Sequence, residues 1–284
     1  MSKLSNVELD RLSNDFGWSG WERNADGVLV AGKPFGDQVS FPSDSWEDES
    51  FNENGMGIWA EIRLNEITRE AKALGVDTLW EVGAGNGAVA LGLDRQGFNV
   101  VAVEPQYPGA KFIATSGITS FNATLATLEL PNSCLPAIGV FDVLEHIEDP
   151  VELLSDFRVK LKDDGLLFVT VPSHQWLFSR HDTSIGHFRR YTAKSMKSQL
   201  QAAGFEVVSL RHVFSFLVPA AFLFRVLPEK LGHKPDFQKQ ILSARKQLEI
   251  AERLSWIFRV LSKFERLLKV PFGLSILCVA RVQR

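Results

Sequence analysis

A glycine-rich segment, Glu81-Val82-Gly83-Ala84-Gly85-Asn86-Gly87-Ala88, lies where an apolar run gives way to a helical pattern. Glycines at such a turn let the backbone bend tightly and approach a bound nucleotide without a Cβ clash. The segment fits the dinucleotide pattern G-x-G-x-x-[GA], and Glu104, 23 positions after Glu81, is placed to accept hydrogen bonds from ribose hydroxyls. The segment therefore predicts a nucleotide-like cofactor, with a purely structural tight turn as the alternative.

Side chains that could move a proton gather in two downstream segments, 137–150 and 171–192. A histidine is the usual general base when the nucleophile is a hydroxyl. We predict His187, His146 and Asp182 as catalytic candidates, against the alternative that each histidine is a hydrogen-bonded structural residue. No Cys, His and Asp cluster shows the spacing of metal ligands along the chain, so we expect no metal.

A basic pair within the second segment could recognise an anion. Arg189, Arg190 and Tyr191 are consecutive, and guanidinium groups bind phosphate or carboxylate with paired hydrogen bonds. The alternative is that these arginines hold the loop down through salt bridges with Asp182 or Glu145.

The elements that must position these residues alternate between strand and helix. Short apolar runs separated by amphipathic stretches predict an α/β, Rossmann-like, doubly wound sheet covered on both faces. The predicted strands are 78–82, 99–103, 137–141, 166–171, 205–213 and 274–282, and the predicted helices are 58–74, 87–96, 107–115, 150–161 and 192–203. Aromatics mixed with turn formers predict short irregular strands within 16–46. Asp163-Asp164-Gly165 is expected to close the helix that precedes strand 166–171.

Composition limits the class of protein. The 284 residues carry 31 Lys+Arg against 34 Asp+Glu, and 45% are hydrophobic, which excludes intrinsic disorder and argues against nucleic-acid binding. Two cysteines cannot form a disulfide framework, the first residues have no signal-peptide pattern, and no apolar run approaches the ~20 residues of a bilayer span. We therefore expect a cytoplasmic protein.

The charge is unevenly distributed along the chain. Residues 1–80 hold 7 basic and 15 acidic side chains, whereas residues 230–270 hold 10 basic and 4 acidic ones. This asymmetry predicts accessory regions at both ends. The predicted organisation is an N-terminal extension over 1–56, a cofactor-binding core over 57–213, a helical insertion over 214–270, and a final strand of the core within 271–284.

The insertion carries one apolar stripe. Apolar residues recur every three or four positions from Phe237 to Leu268, and the other faces of this long predicted helix are basic. The run 213–224 that precedes it is rich in phenylalanine but too short to cross a bilayer, and Pro219 is expected to break a regular helix. The region is compatible with a lid, a homodimer seam, or peripheral contact with the inner face of a membrane. We favour a lid or a dimer seam over membrane contact, because the apolar stripe of a helix usually packs against other protein elements.

Taken together, the motifs resemble those of class I S-adenosylmethionine-dependent methyltransferases. EVGAGNG followed by VVAVEP resembles the first two motifs, and AIGVFDVLEHIEDP resembles the motif after strand 4 in the type 11/23 group, related to ubiquinone-biosynthesis methyltransferases. The block 171–192 and the later PFGLS resemble one bacterial subfamily. The resemblance covers roughly residues 50 to 284 and implies a seven-stranded sheet with an antiparallel last strand and S-adenosylmethionine as cofactor. Glu81 distinguishes this loop from a dinucleotide-binding one, since an acid beside the glycines suits a cationic sulfonium donor better than a negatively charged pyrophosphate.

The resemblance also assigns site residues. Those implied to bind the cofactor are Glu81, Gly83, Ala84, Gly85, Asn86 and Gly87 at the methionine part, Glu104 and Pro105 at the ribose and adenine, Thr124 and Leu125 at the adenine edge, and Phe141, Asp142, Val143 and His146 beside the methyl group. Those expected on the substrate side are Trp59, Arg63, Trp176, Arg190 and Tyr191. Many relatives carry an acid where this chain has Thr124, which puts the adenine contact in question.

Methyl transfer from a sulfonium is an in-line displacement, for which the protein chiefly aligns the reacting atoms and excludes water. We expect a methyltransferase acting on a small-molecule or lipid-linked acceptor, at oxygen. An NAD(P)- or FAD-dependent oxidoreductase and a non-catalytic cofactor-binding scaffold are the alternatives.

Overall fold

The computed structural model describes residues 21–31, 57–232, 253–268 and 270–283. Its strands are β1 (Trp21–Arg23), β2 (Leu29–Ala31), β3 (Thr78–Val82), β4 (Asn99–Val103), β5 (Thr119–Phe121), β6 (Leu135–Phe141), β7 (Leu161–Pro172), β8 (Phe205–Val213) and β9 (Ser275–Val282). They form one sheet in the order β1-β2-β5-β4-β3-β6-β7-β9-β8. From β3 onward this is the expected seven-stranded sheet, since β9 runs antiparallel to both β7 and β8 while the pairs among β3 to β7 are parallel.

Helices cover the sheet on both faces. They are α1 (Ile58–Ala73), α2 (Ala88–Arg95), α3 (Tyr107–Thr115), α4 (Pro150–Lys160), α5 (Arg180–Ser184), α6 (Ala193–Ala202), α7 (Val218–Ala221), α8 (Leu227–Lys230) and α9 (Ser255–Leu268). Successive strand residues point to opposite faces. Leu79 therefore packs with α1 and α2 in one apolar cluster, whereas Trp80 belongs to the cluster that includes residues of α4 and α6. This two-sided core confirms the predicted doubly wound fold.

Two features of the core differ from the expectation. The three-residue strand β5 was not predicted, because three residues are too few to show a period along the sequence. The triplet Asp163-Asp164-Gly165 lies inside β7 and does not close a helix, since α4 already ends at Lys160. A Cβ on Gly165 would lie 2.8 Å from the carbonyl oxygen of Lys162, so the glycine serves an irregular stretch of strand opposite the register shift in β6.

The described part of the N-terminal region extends the sheet. β1 pairs antiparallel with β2, and Leu29 of β2 pairs with Phe121 of β5. The Trp21 ring contacts Phe121 edge-on at 5.3 Å between centroids. These two strands confirm short strands within 16–46 for residues 21–31; the rest of that range lies outside the described residues.

The described part of the insertion packs on α1. Phe258 of α9 contacts Trp59 at 4.8 Å between ring centroids, and Arg259 donates to both carboxylate oxygens of Glu61 at 2.8 Å. The helix predicted from Phe237 is confirmed over α9, while its earlier part, 237–252, lies outside the described residues. Pro219 does not interrupt a helix, because it stands in the first turn of α7, where its missing N–H costs nothing.

Helix α7 continues into α8 through a π-helical turn, Phe222–Val226.

Among the helices of the described ranges, none has both the length and the hydropathy of a membrane span.

Candidate functional site

The glycine segment forms the loop between β3 and α2. Gly83 has φ +73°, and a Cβ there would lie 2.7 Å from a methyl carbon of Val143. Its N–H donates to the Val103 carbonyl at 2.8 Å, which ties the loop to the end of β4. The Asn86 side-chain oxygen accepts from the Ala88 N–H at 3.2 Å and so supports the turn that precedes α2. The segment, called the cradle below, thus forms a tight loop at the carboxyl edge of the sheet.

Glu81 lies beneath this cradle, in β3. The residue is 2% exposed, and its Oε2 atom has no hydrogen-bond partner among the described residues. Burial, with the nearby Glu104 as the second cause, raises the pKa of Glu81 well above its usual range, while Arg63 opposes the rise. A buried carboxyl with an unused oxygen fits a cationic group such as the ammonium of S-adenosylmethionine. That Glu81 binds this group stays a prediction.

Glu104 follows β4, and its carboxylate organises the loop. Oε2 accepts from the Gly85 N–H and Oε1 from the Gln106 N–H, both at 2.7 Å. Burial raises the pKa of Glu104 to about 7, and these two hydrogen bonds oppose the rise. Each oxygen retains a lone pair, so the predicted contact with ribose hydroxyls is compatible with the backbone contacts.

Asn122 is a residue of this region that the sequence analysis missed. Its side-chain amide donates to the Glu104 carbonyl at 3.2 Å and to the Pro105 carbonyl at 2.7 Å. It follows β5 directly, at the same sheet edge, so a prediction of β5 would have indicated it. The predicted adenine-edge residues come next: Thr124 donates from its backbone N–H to the Thr127 hydroxyl at 3.1 Å, and Leu125 is buried.

Asp142 follows β6 and faces the cradle. It has φ +55°, a conformation that non-glycine residues adopt rarely and mostly at functional sites. Its carboxylate accepts from the Thr170 hydroxyl at 3.1 Å and forms an ion pair with Arg63 of α1. Arg63, expected on the substrate side, therefore touches a predicted cofactor residue. The neighbouring Phe141 is buried, and Val143 packs against Gly83.

Asp182 of α5 is the centre of a second cluster. It is fully buried and accepts from the Ser179 N–H at 2.9 Å, from Arg190 Nε at 2.7 Å and from His187 Nδ1 at 3.1 Å. Burial alone would raise the pKa of Asp182, but the hydrogen bonds from His187 and Arg190 outweigh it and lower that pKa. We correct its predicted role from catalytic to positioning, because a fully buried carboxylate with these partners cannot reach a substrate.

The other nitrogen of His187 points toward the segment after β6. Nε2 lies 3.8 Å from Glu145 Oε1, and the His146 ring lies edge-on at 4.6 Å from the His187 ring. Burial and the Asp142 charge raise the pKa of Glu145 well above its usual range. Burial, and then His187, lowers the pKa of His146 to about 4.

Folding therefore unites groups that the chain keeps apart. Donor atoms of Glu145, His146 and His187 lie within 4.8 Å of one another, although His187 follows His146 by 41 positions. Spacing along the chain could not indicate this group, because its members come from two separate segments. That no metal binds stays a prediction.

Three substrate-side candidates lie in aromatic or buried surroundings. Tyr191 is 1% exposed and its hydroxyl donates to the Leu144 carbonyl at 3.0 Å, so we correct it from substrate contact to positioning residue. Trp59 packs between α1 and α9, as described above. Trp176 is half exposed, with its ring 5.9 Å from Phe222.

Comparison with known proteins gives a consistent result. A family model described as a methyltransferase domain matches residues 60–210. A probable S-adenosylmethionine-dependent methyltransferase of Mycolicibacterium smegmatis is 30% identical over 127 residues, 44% of this chain and 46% of that protein. A ubiquinone biosynthesis O-methyltransferase of Actinobacillus pleuropneumoniae is 27% identical over 135 residues, 44% of this chain and 58% of that protein. The chain thus spans about half the length of these curated relatives.

A solved structure shows the shared fold. The crystal structure of an S-adenosylmethionine-dependent methyltransferase from Archaeoglobus fulgidus matches with a TM-score of 0.52 and 19% identity, covering 84% of this chain and 100% of that one.

Proposed function

Because this chain belongs to the family of S-adenosylmethionine-dependent methyltransferase domains, we propose that it methylates a hydroxyl oxygen of a small-molecule or lipid-linked acceptor. The observation that carries the proposal is the hydrogen bond between His187 Nδ1 and the buried carboxylate of Asp182. Family membership decides against the oxidoreductase alternative.

Residues of the cradle would hold the cofactor, which supplies a methyl carbon activated by its sulfonium. Glu81 would pair with the ammonium group, because ionising this buried carboxyl requires a cation beside it. Glu104 would accept from the ribose. Asp142 and Val143 would border the methyl group from the end of β6, where Arg63 holds the Asp142 carboxylate in place.

His187 would take the proton from the acceptor hydroxyl. An ionised carboxylate can only accept hydrogen bonds, so Asp182 keeps the proton of a neutral His187 on Nδ1 and leaves the lone pair on Nε2. His146, whose pKa is about 4, is a much weaker base at neutral pH. His187 is therefore the best-placed base of the cluster.

A relative's name supports oxygen as the methylated atom. The stretch aligned with the ubiquinone biosynthesis O-methyltransferase covers 44% of this chain. A hydroxyl is also the acceptor that gains most from a general base, since deprotonation greatly increases its nucleophilicity.

The outer face of α9 supports an acceptor at a membrane. Trp256 is 65% and Leu267 is 74% exposed, and Val260, Phe264 and Leu268 are also exposed. Lys263 in this helix and Arg253 just before it add positive charge and are exposed. A two-fold dimer would bring these like charges together, whereas an anionic membrane surface attracts them and accepts the apolar side chains. We therefore favour peripheral membrane contact over a homodimer.

The test is methyl transfer from labelled S-adenosylmethionine into a metabolite and lipid extract. His187→Gln should lower the rate by about 10²- to 10⁴-fold, the usual contribution of a general base. Its affinity for S-adenosylhomocysteine should stay within about twofold, since His187 lies outside the cradle. The matched control, His212→Gln, should transfer methyl groups at the wild-type rate.

Two results would refute the proposal. One is undiminished transfer by His187→Gln. The other is a product in which mass spectrometry and NMR locate the new methyl group on nitrogen or carbon.

A further inference from the structure

A small recess lies beside the candidate acceptor side of the sheet. It has a volume of about 150 Å³ and lies between the carboxyl end of β7, the start of β9 and the π-helical turn. Its polar lining residues are Arg190, Arg225 and Ser275, and the rest of the lining is apolar. The recess is therefore a short pocket with two guanidinium groups.

Arg190 is fixed in the wall of this recess. Its Nε donates to Asp182 at 2.7 Å, and its side chain is largely buried. Nη1 makes only a long contact, 3.5 Å, with the Ser173 carbonyl. The outer end of the guanidinium thus keeps donors for a ligand.

Arg225 contributes a second positive charge that is not neutralised. Within the described ranges it forms no ion pair or hydrogen bond, and the carboxylate whose charge acts on it there is Asp182. That carboxylate is already engaged by Arg190 and His187. The acid one turn beyond, Glu229, pairs with Arg180 instead, at 3.6 Å. Within the described ranges, Arg225 therefore has no carboxylate partner of its own.

The backbone position of Arg225 is also unusual. It belongs to the π-helical turn Phe222–Val226, and such turns are rare and frequently found at functional sites. The histidine nearby does not change the charge balance, because burial, followed by the Arg225 charge, lowers the pKa of His181 to about 4. His181 is thus neutral at neutral pH, and the recess keeps an excess positive charge.

We propose that this recess binds a phosphate group of the methyl acceptor, held by Arg225 and Arg190. The inference rests on the proposed function, because it assumes that the acceptor approaches from this side. Guanidinium groups bind phosphate with paired, charge-assisted hydrogen bonds. The volume of about 150 Å³ is several times the ~30 Å³ of one water but below the ~300 Å³ of the smallest typical ligand pockets. Only the anionic end of the acceptor therefore enters.

The experiment measures phosphate binding directly and needs no turnover. Inorganic phosphate and glycerol 3-phosphate are titrated into the full chain by calorimetry, and vesicles of phosphatidylcholine with or without phosphatidic acid are tested by co-sedimentation. We expect Arg225→Gln to weaken phosphate binding at least tenfold. Arg225→Lys keeps the positive charge but loses the paired donors of the guanidinium, so its phosphate affinity should lie between those of wild type and Arg225→Gln. Arg95→Gln, an exposed arginine at the end of α2, is the matched control and should bind as wild type.

A second measurement uses only the wild-type protein. Phenylglyoxal modifies accessible arginines, and phosphate should protect Arg225 but not Arg95, as read by mass spectrometry. Preference for glycerol 3-phosphate would indicate a soluble phosphate ester, and binding confined to phosphatidic acid vesicles and dependent on Arg225 would indicate a lipid headgroup.

The inference fails if inorganic phosphate, glycerol 3-phosphate and phosphatidic acid vesicles all bind wild type and Arg225→Gln equally. It also fails if added phosphate does not slow the reaction of Arg225 with phenylglyoxal. S-adenosylhomocysteine binding and methyl transfer, measured on the same samples, report on the proposed function separately.

Discussion

Replacing Glu104 by glutamine should change how the stability of the protein depends on pH. The folded-state pKa of Glu104 is about 7 against an ordinary 4.5, because the carboxyl is buried. A carboxyl with a raised pKa contributes stability that is fully present below its unfolded pKa and is lost as the pH rises through its folded pKa. At about 1.4 kcal/mol per pKa unit, the loss in the wild type is about 3 kcal/mol between pH 4.5 and 7.

Glutamine is neutral throughout this range, so Glu104→Gln does not lose this stability as the pH rises. At pH 5 the variant should be less stable by about 1 kcal/mol, since its NH₂ group cannot accept from the second of the two backbone N–H donors. At pH 8 the order should reverse. The free energy of unfolding of the variant relative to wild type should therefore rise by about 3 kcal/mol from pH 5 to pH 8.

The assay is urea unfolding of both proteins without cofactor at pH 5, 6, 7 and 8. Glu206→Gln, on the exposed side of β8, is the matched control and should show no such change. Carboxyls that do not interact with Glu104 titrate alike in both proteins and cancel from the difference. Because Glu104 raises the pKa of Glu81, the same comparison is made in a Glu81→Gln background, which removes the titration of Glu81. A stability difference that stays constant within about 0.5 kcal/mol over the whole range would refute the reasoning.

The remaining predictions concern the cradle and the outer face of α9. Glu81→Gln should weaken S-adenosylhomocysteine binding by about tenfold or more, because glutamine cannot offer a carboxylate to the ammonium group of the ligand; equal calorimetric affinities would contradict this. Gly83→Ala should destabilise the protein more than Gly75→Ala and abolish cofactor binding, since both glycines have φ +73° but nothing lies within 4 Å of a Cβ at Gly75; equal melting temperatures would count against a steric role. Trp256→Ser with Phe264→Ser should abolish co-sedimentation with anionic vesicles at low salt, and retained sedimentation would exclude this face as the membrane contact.

The sequence predicted best what is periodic and local. Strands 99–103 and 205–213 and helix 107–115 match the observed bounds, because each carries a full apolar pattern that burial then enforces. The glycine segment was likewise predictable, since a tight strand-to-helix turn under a bound nucleotide requires left-handed backbone at several positions.

Contacts between distant segments were not predictable in the same way. Arg63 was expected to face the substrate, but only the folded chain brings α1 against the end of β6, where Arg63 meets Asp142. Tyr191 lies in a motif that suggests a ligand contact, yet its hydroxyl donates to a backbone carbonyl of the preceding motif. In both cases the side-chain chemistry was correctly noted and the partner lay 47 or more positions away.

At the carboxyl edge of the sheet, two buried acids lie at one end of the candidate site and two arginines at the other, on either side of β6, and this order suits methyl transfer from a sulfonium. Glu81 and Glu104 stand at β3 and β4, whereas Arg190 and Arg225 line the recess at β7. A cationic donor and a phosphate-bearing acceptor would each be attracted to one end, so that the acceptor hydroxyl would approach the methyl carbon above β6, beside His187. The positive charge of the sulfonium disperses in the transition state, and buried surroundings therefore favour the reaction. The pairing of buried acids with an unneutralised basic recess would thus both select the two substrates and orient them for in-line displacement.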